Sequence, residues 1–438
     1  MDSPRLLTQR IYEMLMESQY WPPEQMLAFQ RSQLEQLLRH AKATVPFYRS
    51  RLDAVFKKNG EIDWDRWNEI PIVTRADLRD KHDEMLTTAL PPGHGPTKSS
   101  YSSGSSGVPI VIESTRVWTA ANRAAGQRFY GHQHMDPAKL RATFSSKNAE
   151  GGPLREEFYV ERWNSPSAGA KQHAQSIVLN RNLEENRKLD LLASEGAAYL
   201  LDVTNNVEIL ARANLMRNDP VGLEIILGYG QGLTADQRDL FHQSFGARSL
   251  SIYSSQEGGQ MGAQCGDSFH YHLNPEIVLV EILHAEGRPC QIGEQGRIVV
   301  TPFFSTALPL IRYEQEDSAE FMQPCACGSE LPVIGNITGR QDQFMRFPEG
   351  IRSATGLDQK LMRSCLNALV FQIAQVETFK LELRYVPARV GKQGNTDNIA
   401  THIRELIHPK LDVVFKPVDE IPLNAGGKFQ RIVCELAT

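Results

Sequence analysis

A run of serine and glycine in the first third of the chain is suited to binding phosphate. Glycine lets backbone N–H groups turn toward an anion, and serine hydroxyls add donors without bulk. Taken alone, such a run is more often a flexible surface linker. Val108 stands where many phosphate loops carry a lysine, so this is not a Walker A motif. The candidate phosphate-binding residues are Ser102, Ser103, Gly104, Ser105, Ser106 and Gly107.

Cysteine and histidine side chains form a second candidate group, in two parts separated along the sequence. Cys325-Ala-Cys327 is a tight knuckle, and Cys265 precedes His270 and His272. A strand after Cys265 would place both histidines on one face, so either could bind a metal. Zn²⁺ takes four sulfur or nitrogen ligands in a tetrahedron, and four protein ligands leave no open position. We predict a structural zinc site on Cys265, His272, Cys325 and Cys327; the alternative is two buried thiols and an exposed histidine pair.

The segments around these residues show clear local patterns. Apolar residues at helical spacing predict helices over 6–57, with Pro46 as a break. Thr74, followed three residues later by Asp77, predicts an N-cap close to a capping box. The Ser/Gly run precedes an apolar, β-branched stretch that predicts a strand, and residues 117–131 predict a helix.

The remainder of the chain predicts an α/β protein. Helical and strand patterns alternate over residues 140–230, which is typical of parallel strands. Short strands follow over 245–312, including LPLIRY, and a new strand–helix–strand series occupies 376–438. We therefore predict a large domain over 1–340 and a small one over 341–438.

Composition excludes several classes of protein. Of the 438 residues, 47 are Lys or Arg and 52 are Asp or Glu, so a strongly basic nucleic-acid-binding face is not expected. No apolar run approaches the roughly 20 residues that cross a bilayer, so we expect no membrane partner. The N-terminal segment is charged, without the apolar stretch of a signal peptide, and predicts a cytoplasmic protein. Six cysteines are too few to suggest a disulfide scaffold.

Four further segments give the Ser/Gly run a family context. Residues 253–258 (YSSQEG) resemble the motif Y-G-x-[ST]-E, and residues 307–317 (ALPLIRYEQED) resemble A-x-P-L-I-R-Y-R-T-G-D. Residues 338–342 (TGRQD) resemble G-R-x-D-D, and residues 421–431 resemble a late loop that ends in S-G-K. In this order, these motifs resemble the adenylate-forming superfamily, and in particular its phenylacetate-CoA-ligase-like branch.

The resemblance implies a role for each matched residue. Tyr253, with Ser254 beside it, would lie near the adenine, and Glu257 would bind the Mg²⁺ that bridges the ATP phosphates. Asp317 would accept hydrogen bonds from the ribose hydroxyls, and Arg340 would bind ribose or phosphate. Lys428 would stabilise negative charge as the carboxylate attacks the α-phosphate.

The chain also departs from the family pattern. Ser254 replaces a glycine, residues 314–316 replace R-T-G, and Gln231 replaces a glutamate near the acyl pocket. Residues 345–350 differ from the family segment that follows the hinge. The implied fold is a large N-terminal domain with mixed and parallel sheets and a small, mobile α+β C-terminal lid that rotates between two half-reactions.

Three functions are consistent with these motifs. The first is an ATP-dependent ligase that forms an acyl-adenylate and then an acyl-CoA thioester, from an aromatic acid, with Mg²⁺ and coenzyme A. The second transfers the acyl group to an amine, a sugar or a carrier-protein thiol. The third is a non-catalytic nucleotide-binding relative. Some phenylacetate-CoA-ligase-like proteins hold a zinc at a similar Cys/His cluster, and dimers are common among relatives, so a homodimer is an option.

Overall fold

The computed structural model describes residues 4–101, 110–149, 152, 154–163, 174–230, 232–266, 268–338, 344–348, 350–353, 362, 365–387, 396–422 and 429–436. The helices are α1 Pro4–Ser18, α2 Pro23–Thr44, α3 Arg75–Asp80, α4 His82–Met85, α5 Arg116–His132, α6 Glu185–Ser194, α7 Thr204–Leu215, α8 Ala235–Phe245 and α9 Thr396–Leu406.

The strands are β1 Lys98–Tyr101, β2 Val111–Ser114, β3 Leu140–Ser145, β4 Phe158–Trp163, β5 Ala174–Asn180, β6 Ala197–Val203, β7 Ile225–Tyr229, β8 Arg248–Ser255, β9 Gly259–Gln264, β10 Tyr271–Leu273, β11 Val278–Leu283, β12 Gly296–Pro302, β13 Tyr313–Phe321, β14 Val333–Thr338, β15 Phe344–Phe347, β16 Gly350–Ser353, β17 Ala368–Glu377, β18 Lys380–Pro387, β19 Asp412–Pro417 and β20 Ile432–Cys434.

The N-terminal helices begin and end where local sequence chemistry requires. Pro23 opens α2, where its missing N–H is not needed, and α2 ends before Pro46. The side chain of Thr74 accepts a hydrogen bond from the Asp77 backbone N–H, and Asp77 accepts one from the Thr74 N–H. This reciprocal pair is a capping box, which confirms the N-cap predicted at α3.

By packing, the chain divides into two compact units. The first comprises residues 1–140, 161–176 and 250–338. Its sheet has the order β11-β12-β13-β14-β10-β9-β8, and each of these neighbouring pairs is antiparallel. Side chains of α2, α5, β11 and β12 share its hydrophobic core, which includes Leu38, Ala124, Val280 and Val300.

The strand predicted over LPLIRY was wrong in its position. Residues 308–312 are irregular, and Arg312 has a backbone φ of 55° that ends extended structure there. Strand β13 begins at Tyr313 and runs through Asp317 to Phe321. Only residues 313–317 of the segment that resembles the ribose-binding motif therefore lie in the strand.

The second unit comprises residues 141–160, 177–249 and 339–438. Strands β6 and β7 are parallel, and α7 connects them. This arrangement confirms the parallel strands predicted from the alternating pattern. Helix α8 begins with a capping box between Thr234 and Gln237 and ends at Gly246, whose φ of 67° suits a residue without a side chain.

The C-terminal part of the second unit contains a mixed sheet of order β19-β18-β17-β20. Strands β17 and β18 are antiparallel, whereas β19 and β20 each run parallel to their neighbour. Ile399 and Ile403 of α9 belong to the same hydrophobic core as this sheet. The predicted domains, 1–340 and 341–438, and the mobility of the second remain predictions. None of the helices in the described part of the chain combines the length and apolar character that a membrane crossing requires.

Candidate nucleotide site and metal centre

The segment after β8 makes a tight turn that only glycine can form. Gly259 has a φ of 71°, and a Cβ placed there would lie 2.2 Å from Oδ1 of Asn122 and 2.8 Å from the ring of Trp118. The same Oδ1 accepts a hydrogen bond from the Gln260 N–H at 2.6 Å. Helix α5 therefore fixes the turn that carries Glu257, and any larger residue at 259 would displace it.

A direct hydrogen bond joins two of the motifs identified in the sequence. The hydroxyl of Tyr253, on β8, donates to Oδ2 of Asp317, on β13, at 2.9 Å. Each of these residues is only 9% exposed. The fold thus brings together an aromatic ring and a carboxylate that are 64 positions apart in the sequence. These are the two residues that the resemblance assigns to adenine and ribose.

Gln315 is a polar side chain on the same face of β13. Tyr313, Gln315, Asp317 and Ala319 are the buried residues of an alternating pattern. Gln315 is 1% exposed, and within the described residues neither polar atom of its amide has a hydrogen-bond partner. A buried amide without a partner is costly, which favours a ligand as its partner. In the sequence, Gln315 differs from the R-T-G of the family motif, and that difference was the signal that could have identified it.

Arg312 fixes the start of β13. Its guanidinium donates to the carbonyl oxygens of Asn68 and Ile70 at 2.9 Å and forms an ion pair of 3.2 Å with Glu281. Burial raises the pKa of Glu281, and the charge of Arg312 opposes this shift. Since Arg312 is itself buried, these contacts hold the irregular segment 308–312 rigidly before the strand that presents Asp317.

Glu257 lies in a buried position next to an arginine. The side chain of Glu257 is 1% exposed, and Nη1 of Arg75 lies 3.7 Å from its Oε1. Arg75 is the first residue of α3 and is mostly buried. Arg75 was not among the residues predicted from the sequence, although it directly follows the predicted N-cap, Thr74. The carboxylate oxygens of Glu257 are the kind of donor that a hard divalent ion requires.

The other predicted nucleotide-binding residues lie outside the described residues. They are the Ser/Gly run Ser102–Gly107, Arg340 and Lys428. Strands β1 and β2 pair in antiparallel register from Lys98 with Ser114 to Tyr101 with Val111. The Ser/Gly run therefore connects the two strands of a hairpin, and the strand predicted after it is confirmed as β2.

Four predicted metal ligands come together in the first unit. One potential ligand atom from each of Cys265, His272, Cys325 and Cys327 lies within 4.8 Å of all the others. Cys265 follows β9, His272 lies in the middle of β10, and the two other cysteines lie between β13 and β14. Because β9 pairs with β10 and β10 pairs with β14, the sheet itself assembles the cluster.

The distances in this cluster suit tetrahedral zinc. A Zn²⁺ with two bonds of about 2.3 Å holds thiolate sulfurs about 3.8 Å apart. The Sγ atoms of Cys265 and Cys325 are 3.7 Å apart, and Sγ of Cys327 is 3.3 Å from Nε2 of His272. His270 lies beside the cluster, with Nε2 at 3.1 Å from Sγ of Cys325.

Electrostatics in the cluster also suits a cation. Burial, with the neighbouring Cys325 and Cys327, raises the pKa of Cys265 to about 12. Sulfurs gathered in this way do not ionise readily without a positive charge between them. Burial lowers the pKa of His272, so its ring is neutral near pH 7 and can offer a nitrogen lone pair.

Comparison with known proteins gives distant but extensive similarity. No family model matches the chain. The phenylacetate-coenzyme A ligase of Pseudomonas putida is 24% identical over 398 residues, which cover 86% of this chain and 82% of that protein. The ligase of the same name from Thermus thermophilus is 22% identical over 449 residues, which cover 94% and 97%.

A solved structure shows the same fold. It is a 2-hydroxyisobutyryl-CoA ligase in the postadenylation state with 2-HIB-AMP, with a TM-score of 0.73 and 17% identity over 96% of this chain and 92% of that one. The chain is thus similar over most of its length to phenylacetate-coenzyme A ligases, and it shares its fold with a CoA ligase that holds an acyl-adenylate. Other structures of the same neighbour are described in an open conformation and in a thioesterification state. That neighbour therefore adopts more than one conformational state.

Proposed function

We propose that the chain is an AMP-forming acid–thiol ligase that makes an acyl-adenylate and transfers the acyl group to coenzyme A. The observation that supports this most strongly is the buried hydrogen bond between Tyr253 and Asp317. It joins two residues of separate family motifs, as a nucleotide site requires. Similarity to phenylacetate-coenzyme A ligases over most of the chain supports the same reaction and favours an aromatic acid.

The first half-reaction activates the acid. A carboxylate oxygen attacks the α-phosphorus of ATP and forms a new P–O bond, while the bond to the β-phosphate oxygen breaks and pyrophosphate leaves. Activation is needed because the carboxylate itself is a poor electrophile. Both reactants are anions, so the site must bring positive charge and hydrogen-bond donors to them.

Each candidate residue has a place in this step. In our proposal, Tyr253 packs on the adenine with Ser254 beside it, Asp317 accepts hydrogen bonds from the ribose hydroxyls, and Glu257 holds the Mg²⁺. When bound, Mg²⁺ neutralises part of the phosphate charge. The Ser/Gly run Ser102–Gly107 donates to the phosphates, Arg340 binds ribose or phosphate, and Lys428 stabilises the charge that develops during attack.

The second half-reaction makes the thioester. The sulfur of coenzyme A attacks the acyl carbon, the bond from that carbon to the AMP phosphate oxygen breaks, and AMP leaves. The thiol proton passes to solvent. We propose that residues 341–438 form a lid that moves between the two steps, so that Lys428 serves the first and gives way in the second.

Pyrophosphate release tests this function. The purified chain is incubated with ATP and Mg²⁺ and a panel of aryl and alkyl carboxylic acids, each with and without coenzyme A. We expect release that depends on the acid and is stimulated by coenzyme A, with aryl acids preferred. Pyrophosphate release that depends on the acid but is the same with and without coenzyme A would indicate another acceptor for the acyl group. No release with any acid would contradict the proposed activity.

We also propose a structural zinc ion held by Cys265, His272, Cys325 and Cys327. Zinc at this position would fasten the segment between β13 and β14 to β9 and β10. Strand β13 carries Asp317 and β9 follows the turn after Glu257, so the metal would support both nucleotide-binding segments. Its role would be structural because four protein ligands complete the tetrahedron.

Metal analysis and thermal unfolding test the zinc site. We expect about one zinc per chain in the native protein, and a lower melting temperature after chelation, because bound metal stabilises the folded state. Cys327→Ala should lose zinc and stability, whereas Cys290→Ala, a free cysteine of the same unit outside the cluster, should keep its zinc. A metal-free native chain that melts at the same temperature with and without chelator would rule out the proposed zinc.

A further inference from the structure

A small cavity with a basic wall lies in the first unit, between α1, α5 and the hairpin of β1 and β2. Its volume is about 200 Å³, and three cationic side chains line it, those of Lys98, Arg116 and Arg123. Among the described residues that line it, none is Asp or Glu. Pockets that enclose a whole small molecule measure about 300–1,000 Å³. The cavity is therefore suited to one charged group rather than to a complete nucleotide.

Helix α5 places both arginines on the same side. Arg116, Thr119 and Arg123 are spaced by three and four residues, which aligns them along one face of a helix. The helix begins at this cavity, where the side chain of Thr115 caps it by accepting a hydrogen bond from a backbone N–H of the first turn. No Asp or Glu occurs in α5, so no side chain of the helix neutralises the positive end of its dipole.

The strand register keeps the glutamate of the hairpin away from the cavity. Lys98 pairs with Ser114, which also lines the cavity, whereas Ser99 pairs with Glu113. Because successive side chains of a strand point to opposite faces, Glu113 lies on the other side of the hairpin. There it accepts a hydrogen bond from the Ser99 hydroxyl at 2.5 Å. The hairpin thus brings a lysine to the cavity and directs its carboxylate elsewhere.

Within the part of the chain that the structure describes, two of the three cations form no ion pair. These are Lys98 and Arg123, whose side chains are exposed. The guanidinium of Arg116 is held in place, since its Nη2 donates to the Gly93 carbonyl oxygen at 2.9 Å. Three like charges around one small cavity repel one another, and a bound anion would replace this repulsion with attraction.

The cavity lies apart from the predicted phosphate-binding run. The hairpin register extends from Lys98 with Ser114 to Tyr101 with Val111. Three residue steps along a strand cover about 10 Å, and Ser102–Gly107 follow Tyr101 directly in the sequence. An anion in the cavity would therefore bind at the other end of β1 from the run that is proposed to hold the triphosphate.

We propose that this cavity binds a phosphate dianion. The fork of an arginine guanidinium matches two phosphate oxygens, and Lys98 adds a compact positive charge. Three cations favour a dianion over a single carboxylate, because each further charge pair adds to the attraction. The dianion is either inorganic phosphate or a phosphate monoester at the end of a larger molecule, such as the one that coenzyme A carries on its ribose. The site is independent of the proposed ligase activity, since binding needs no turnover.

Calorimetric titration of the full chain with inorganic phosphate tests the site. We expect saturable binding, and Lys98→Gln combined with Arg123→Gln should weaken it by at least about tenfold, or about 1.4 kcal/mol. The matched control combines Arg49→Gln with Lys58→Gln, which removes two charges from exposed residues of the same unit outside the cavity. The control should bind phosphate as the wild type does. A wild type without saturable binding, or equal affinities in the two double variants, would overturn the proposal.

Melting temperatures show whether the variants fold and give a second measure of binding. Without phosphate, the cavity variant should melt at or above the control, because two repelling charges have been removed. Phosphate should raise the melting temperature of the wild type and the control by more than that of the cavity variant, since a ligand stabilises the state that binds it. The same rise in all three chains would contradict the site. Arg123→Lys keeps the charge and loses the fork, so it should retain part of the phosphate affinity.

Competition identifies the source of the phosphate group. Coenzyme A and dephospho-coenzyme A differ only by the phosphate monoester, and each is titrated against bound phosphate, without ATP or acid. Displacement by coenzyme A alone would assign the cavity to the monoester of the coenzyme, and displacement by neither would assign it to free phosphate. Equal displacement by both would show that the monoester is not recognised and would overturn the proposal. If no acid supported pyrophosphate release, the proposed function would fail, and these binding results would still decide the site.

Discussion

Removal of one oxygen atom from Tyr253 should weaken ATP use far more than it weakens the fold. Tyr253→Phe keeps the ring that is proposed to pack on adenine and deletes the hydroxyl that donates to Asp317 at 2.9 Å. Without this donor, the Asp317 carboxylate loses the contact that orients it toward the ribose position. The substitution therefore separates the orientation of Asp317 from the packing of the aromatic ring.

The size of the effect follows from the nature of the acceptor. A hydrogen bond to a charged group contributes about 1.5–3 kcal/mol, and both partners here are largely shielded from water. If the whole contribution is used in binding, the KM for ATP rises by roughly tenfold to hundredfold, since each tenfold step is about 1.4 kcal/mol. The limiting rate should change less, because Glu257 and Lys428 are untouched.

Acid-dependent pyrophosphate release, measured against ATP concentration, gives both constants. The control is Ser18→Ala, in the same unit. The buried hydroxyl of Ser18 likewise donates to a carboxylate, at 2.6 Å from Oε1 of Glu276, away from the predicted nucleotide-binding residues. This variant should lose stability with an unchanged KM for ATP. A KM for Tyr253→Phe within about twofold of the wild type, which is only about 0.4 kcal/mol, would refute the role given to the hydroxyl.

Three further substitutions probe the same site. Lys428→Ala should lower the rate of pyrophosphate release by roughly 10²–10³-fold and leave ATP binding, measured by calorimetry, largely intact. Arg75→Leu should lower the melting temperature of the nucleotide-free chain, because Glu257 loses its nearby cation. Mg²⁺ with ATP should restore more of that stability than it adds to the wild type. Gln315→Leu should stabilise the nucleotide-free chain by about 1 kcal/mol, since a buried amide without a partner is removed, and should raise the KM for ATP.

A specific result would contradict each of these three predictions. Equal loss of ATP binding and of pyrophosphate release in Lys428→Ala would show that the lysine binds nucleotide in the ground state. An Arg75→Leu chain that gained no extra stability from Mg²⁺ with ATP would separate Arg75 from the metal position. A Gln315→Leu chain that was stabilised without any change in KM would show that the amide has no nucleotide partner.

The local elements were largely predictable because their signals are short-range. The capping box at Thr74, the helix over 117–131 and the parallel β6 and β7 were confirmed. The predicted strand over LPLIRY was wrong because Arg312 has a left-handed backbone, and its buried guanidinium binds carbonyl oxygens far away in the sequence. An apolar run looks the same whether it forms a strand or a rigid irregular segment, so periodicity cannot distinguish the two.

The sequence by itself predicted a family resemblance, the order of the motifs that carry it and the residue types that could bind nucleotide and zinc. Those features depend only on the order of residues along the chain, so they can be recognised without a folded structure. Only the tertiary structure decided that Tyr253 bonds to Asp317, that Arg75 lies beside Glu257, and that four cysteine and histidine ligand atoms converge. It also decided that Arg431 pairs with Glu208, two residues that are 223 positions apart. Such pairs depend on strand register and on the packing of helices against sheets, and neither is encoded in the local spacing of the residues that meet.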